Sequence, residues 1–141
     1  MIEELKKLLI LHEGKKRSLY FCSADKPTIG VGRNVSEGGI PLSDDEIDLM
    51  LTNDIKRVQN ELKNSFNWYE DLDSVRQAAL CDLCFNIGLP SLKGFKLALG
   101  HMADHNYEDA SVEFLNSKWA KDVGPLRSIT ITDMIRTGKY Q

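Results

Sequence analysis

Three side chains able to do chemistry stand at a close spacing near the N-terminus: the carboxylate of Glu13, the thiol of Cys22 and the hydroxyl of Thr28. Eight residues separate the first two, five separate the second pair, and Thr28 opens a Thr-Ile-Gly-Val-Gly segment. Glu13 can be read without any further context. Ile2, Leu5, Leu8, Leu9 and Leu11 recur close to helical spacing, and Gly14 supplies a helix stop. Glu13 therefore falls at the negative end of a helix dipole, a field that favours the proton-bearing acid over the carboxylate. Partial burial in a cleft would act in the same direction. A carboxylic acid that retains its proton near neutral pH is what general acid catalysis requires. The alternative is an ordinary surface glutamate at a helix end, kept ionised by Lys15, Lys16 and Arg17.

The elements that must position these groups follow from the same stretch. Residues 19–22 and 28–31 read as short strands around a turn at Ser23-Ala24-Asp25-Lys26-Pro27. Gly30 and Gly32 allow another backbone or a ligand to approach closely. Residues 34–42 read as a loop containing Gly38-Gly39. Ser43 and Glu46 then form a capping box, with Asp44 and Asp45 suited to a helix N-terminus. Ile47, Leu51, Ile55, Val58 and Leu62 follow at steps of three or four, the pattern of a long amphipathic helix. Asp73 is a good N-cap for a run from Val75 to Ile87 that is apolar on nearly every side, which predicts a central buried helix. Further helices are expected around 91–103 and 107–116, and around 126–137 after Gly124-Pro125. The order of helix, small sheet, long helix and helical bundle predicts an α+β fold.

Composition narrows the class. The chain has 141 residues, 42% of them apolar and 28% charged, enough for one domain with a proper core. A formal net charge of −3 argues against a nucleic-acid-binding surface. Three cysteines do not suggest a disulfide framework; reduced thiols and a cytosolic site of synthesis are the simpler reading. Lys6 and Lys7 interrupt the N-terminal apolar segment, so it does not read as a signal peptide. No stretch approaches the roughly 18–20 apolar residues of a membrane span.

The Glu-x8-Cys-x5-Thr spacing with Thr-Ile-Gly-Val-Gly resembles the active-site pattern of the bacteriophage-type lysozymes, or endolysins, in which Asp or Cys holds the middle position. The resemblance extends over essentially the whole chain. It takes in residues 72–80, Phe85-Asn86-Ile87-Gly88, Gly94-Phe95, Ser117-Lys118-Trp119, Pro125-Leu126-Arg127 and Arg136-Thr137-Gly138. It implies one lysozyme-like domain over 1–141. Within it would be a small β-containing lobe at about 13–45, a helical lobe from 1–12 plus 60–141, and a linking helix at 44–62. It also implies hydrolysis of the β-1,4 bond between N-acetylmuramic acid and N-acetylglucosamine in peptidoglycan, without a cofactor.

On that resemblance Glu13 is the acid. Cys22 takes the second position, where it orients or activates water, and Thr28 holds the water or the second group. A thiol is a weaker base than a carboxylate at neutral pH. The family's usual outcome is inversion, although a thiolate able to attack the sugar leaves retention open. Asn34, Phe85, Asn86, Glu113 and Arg127 fall where relatives contact the glycan, and Arg127 matches an arginine that pairs with the catalytic glutamate. On local chemistry alone, Phe85 reads as a core residue and Thr28 as a β-branched strand residue. Relatives often carry His after the Gly-x-Gly; this chain has Arg33, so any ion pair built there must differ. The expected partner is a peptidoglycan strand, met by a monomer with no stable membrane association and no nucleic acid. Synthesis in the host cytoplasm would be followed by action on the wall after another protein opens the membrane.

Two rival readings remain. A lytic transglycosylase would use Glu13 alone and tolerate a weak second group. A zinc-stabilised or inactive wall-binding module would use Cys81, Cys84, His101 and His105. The sixteen residues between those pairs lie just outside the usual window, and both cysteines fall within the buried helix, so core thiols and exposed histidines are the simpler reading.

Overall fold

Gly14 ends the first helix where its position predicts. In the computed structural model, which describes all 141 residues, α1 runs Ile2–Glu13, and Gly14, at φ 79°, donates its N–H to the Ile10 carbonyl at 2.9 Å. The apolar stripe gives the helix its period, but α1 buries none of its side chains.

Three antiparallel strands follow in the order β1-β2-β3: β1 (Lys16–Phe21), β2 (Pro27–Gly30) and β3 (Arg33–Asn34). Two of these depart from expectation. Cys22 lies just past the end of β1, because its N–H bonds to the Lys26 carbonyl at 3.0 Å and its carbonyl accepts the Asp25 N–H at 2.8 Å. Those two bonds close the turn, with Asp25 at φ 58°. The stretch read as a loop from 34 begins with a third strand, paired Thr28↔Asn34 and Ile29↔Arg33.

The long helix α2 (Asp44–Ser65) starts at the expected capping box. Ser43 Oγ accepts the Glu46 N–H at 3.4 Å, and Glu46 Oε1 accepts the Ser43 N–H at 2.9 Å. Only Val58 and Leu62 of its apolar series are buried; Ile47, Leu51 and Ile55 remain exposed.

The residues form two compact units, Met1–Asp48 and Leu49–Gln141, with the boundary inside α2. The first holds α1 and the sheet; the second holds the hydrophobic core. Asp73 caps α3 (Ser74–Ile87) by accepting the Arg76 N–H at 3.0 Å. Burial on α3 is narrower than the sequence suggests. Ala79, Leu80, Leu83 and Cys84 are buried, but Phe85 and Asn86 are exposed and Cys81 is only partly covered. Instead of being buried on every side, α3 leaves part of its C-terminal half open to solvent.

The rest of the unit is α4 (Leu89–Lys93), α5 (Lys96–Ala103), α6 (Tyr107–Leu115), α7 (Lys118–Val123) and α8 (Pro125–Thr137), with α4 and α8 against α3, α6 against α5 and α8, and α7 against α6 and α8. The single helix expected at 91–103 is two. The chain breaks at Gly94-Phe95, where i→i−3 bonds to Ser91 and Leu92 tighten the last turn of α4. The sequence reading did not anticipate α7, which is capped by Ser117 Oγ accepting the Ala120 N–H at 3.3 Å. Phe114, Leu80, Leu83, Leu92, Met102 and Ile135 are fully buried and make one core.

Arg76 joins the two ends of this bundle. Its guanidinium donates to the carbonyls of Ile135 (2.6 Å) and Arg136 (3.1 Å), pairs with Asp73 (2.8 Å), and lies 3.6 Å from the Tyr107 ring centroid. A cation at the carbonyl end of α8 complements the helix dipole. Gly138 closes α8 in the left-handed conformation, at φ 69°, against that same guanidinium.

Candidate active site

Glu13 closes α1, and its side chain is exposed rather than partly buried. What it packs against is the β2–β3 connection. The pairing Ile29↔Arg33 makes residues 30–32 a three-residue turn, and Gly32 lies directly against the glutamate side chain. A Cβ at position 32 would stand 3.0 Å from Glu13 Cδ and Oε2 and 3.1 Å from Cγ.

Cys22 and Thr28 are brought together at one end of the sheet. Thr28 is buried at 3% exposure, and its hydroxyl donates to the Lys26 carbonyl at 2.8 Å. Hydrogen bonds from the backbone of Lys26 and then Ala24 hold the Cys22 thiol below its ordinary value, and the Thr28 hydroxyl adds to this. That hydroxyl has one proton and two claimants, the Lys26 carbonyl and the Cys22 sulfur. Cys22 is therefore richer in thiolate than its residue type alone suggests.

Asn34 pairs with Thr28 across β2–β3, but its carboxamide oxygen accepts both the N–H (2.9 Å) and the hydroxyl of Ser36. The neighbouring Arg33 forms an ion pair with Glu46, whose carboxyl is lowered to about 2 by that guanidinium and by the Ser43 bonds.

The second unit separates its candidates. Phe85 and Arg127 share an open apolar groove of about 440 Å³ with Leu51, Ile55, Ala78 and Cys81. Phe85 is 49% exposed, so it is a groove wall and not a core residue. The Arg127 guanidinium is engaged by Asp82, with Nε and Nη2 each 2.8 Å from Oδ1. The resemblance gave Arg127 the glutamate as partner; the partner found within this unit is Asp82.

Asn86 opens into a different cavity, of about 430 Å³, where its Oδ1 accepts the Trp119 Nε1–H at 2.9 Å. Glu113 lines a third, of about 310 Å³, with Phe95 and Ser117. Sequence reasoning missed Gly32, Asp82 and Trp119 as partners. A signal existed for the first two. Gly32 is the second glycine of Thr-Ile-Gly-Val-Gly, and Asp82 is one of few polar residues on an apolar helix.

The cysteines and histidines of the zinc reading are not gathered, and no group of three or more His, Cys, Asp or Glu side chains converges. Cys81 Sγ lies 3.1 Å from the Tyr69 hydroxyl and Cys84 Sγ 3.9 Å from Glu61 Oε2. Burial raises the Cys81 thiol, and burial with the Glu61 carboxylate pushes Cys84 up to about 11. The three thiols should therefore label in order. Below the pH at which an ordinary thiol ionises, iodoacetamide should modify Cys22 first and Cys84 last, as read by peptide mass against time. Equal rates for all three in the native protein would contradict this assignment.

A small three-stranded antiparallel sheet combined with eight helices, and a helix-end glutamate set against the sheet, is an α+β arrangement of the lysozyme-like class. Residues 11–131 match the phage lysozyme family, and the chain belongs to it. It is similar to Probable T4-type lysozyme 2 of Dictyostelium discoideum, at 26% identity over 98% of this chain and 96% of that protein. Probable T4-type lysozyme 1 of the same organism is 22% identical over the same shares.

Proposed function

We propose that this chain is a peptidoglycan glycoside hydrolase, and specifically a muramidase that cleaves the β-1,4 bond between N-acetylmuramic acid and N-acetylglucosamine. The observations that carry the reading are the pairing of Cys22 with Thr28 and the helix-end Glu13 set against Gly32, within a chain of the phage lysozyme family. Glu13 protonates the leaving glycosidic oxygen. Cys22, its thiol lowered by the turn backbone, orients and polarises a water on the opposite face of the sugar, and the Thr28 hydroxyl steadies that pair. Water then adds directly, passing its proton to the Cys22 thiolate as the bond to the leaving sugar breaks, and the new reducing end has inverted configuration. The family resemblance names Asn34, Phe85, Asn86, Glu113 and Arg127 as glycan contacts; of these, Phe85 and Arg127 line the apolar groove of the second unit. The protein works as a monomer without a cofactor. It is made in the host bacterial cytoplasm and reaches the wall after the membrane is opened; no helix is long and apolar enough to cross a membrane.

The test is the chemistry of the products. Digestion of purified peptidoglycan should release muramic acid ends that have gained one water, with the inverted anomer formed first by NMR. Anhydro-muramic ends by mass would replace this reading with a lytic transglycosylase. Complete absence of cleavage would replace it with a wall-binding module.

A further inference from the structure

We propose that Gly32 is a positioning residue for Glu13: the bare backbone at the β2–β3 turn is the surface that sets where the carboxyl stands. The inference rests on the reading of Glu13 as the acid. Glu13 Cγ, Cδ and Oε2 all lie at 3.0–3.1 Å from the place a Cβ at residue 32 would occupy. Real side-chain contacts with a Cβ are rarely that short, so any side chain at 32 must displace the glutamate. The glutamate is otherwise an exposed side chain, so the Gly32 backbone is a contact that bounds where its carboxyl can stand. The turn itself is held on both flanks, by the Ile29↔Arg33 strand pairing and by the Arg33–Glu46 ion pair.

Gly32 also has φ +65°, so a substitution there combines backbone strain with the collision. The two effects are separable. Gly38 has φ +80° with nothing within 4 Å of its Cβ position, so Gly38→Ala carries strain without a collision. Asn tolerates this backbone region better than Ala, so Gly32→Asn keeps the collision with less strain.

The experiment measures kcat and KM on soluble peptidoglycan fragments for these variants, alone and combined with Glu13→Gln, with folding checked by circular dichroism. Gly32→Ala and Gly32→Asn should lower kcat by about tenfold or more, because sub-ångström misplacement of a reacting group is costly, with KM within about twofold. Gly38→Ala should retain kcat. In the Glu13→Gln background neither Gly32 variant should lower the residual rate further. Wild-type kcat in either folded Gly32 variant, or the same fold loss in both backgrounds, would overturn the proposal. Full activity of Glu13→Gln alone would instead overturn the acid assignment on which it rests.

Discussion

Glu13→Gln is expected to lower the rate of peptidoglycan cleavage by about 10²–10⁴-fold, the contribution of a positioned general acid. Glutamine keeps the shape that fits against Gly32 but has no proton to transfer. The side chain is exposed, so thermal stability should move by less than about 0.5 kcal/mol. A rate assay on purified peptidoglycan, alongside a melting curve, separates loss of chemistry from loss of fold. Near-wild-type lysis by a folded Glu13→Gln protein would remove the glutamate from the mechanism.

The second large effect concerns Cys22. If Cys22 orients the water as proposed, Cys22→Ala should cost about 10²-fold or more. Cys22→Asp should retain substantial activity, because the backbone donors of Lys26 and Ala24 that stabilise a thiolate can also stabilise a carboxylate. Alkylation of Cys22 should inactivate by filling the water's place. The downward shift of the thiol also sets a sign for the pH profile. Thiolate grows as pH rises, so the ascending limb of the rate should lie below the pH of an ordinary thiol and move on Cys22→Asp. An inverted first product with no covalent adduct is expected. A trapped glycosyl–enzyme with retained configuration, or full activity in Cys22→Ala, would show that the sulfur does something else.

The fold was largely legible because its punctuation is local. Gly14, the Ser43–Glu46 box, Asp73, and Gly124-Pro125 each act within one turn of chain, and each ends or starts a helix where expected. What escaped was set by contacts distant in sequence. Strand β3 is two residues long and exists because Thr28 and Ile29 pair with it. The break between α4 and α5, and the short α7, come from packing that periodicity does not encode. Burial on α3 was over-read for the same reason: an apolar pattern shows which residues can be covered, not which have a neighbour to cover them. In the candidate site, type and spacing nominate Glu13, Cys22 and Thr28, but not the Gly32 backbone against which Glu13 lies. The engagement of Arg127 by Asp82, and of Asn86 by Trp119, joins residues 45 and 33 apart in sequence.

The ion pair between Arg33 and Glu46 fixes the acidity range over which the hairpin beside Glu13 stays clasped. Arginine does not lose its charge in that range, whereas a histidine in its place would release its partner as pH rose through the neutral region. The only partner here that titrates is Glu46, whose folded-state value is lowered to about 2. A lowered carboxyl adds stability that is present above the ordinary carboxylate value and is lost as pH falls toward the folded one. The clasp therefore holds through neutral and mildly acidic media and opens only in strong acid. The turn next to Glu13 is thus held by a clasp that ordinary changes of acidity leave closed.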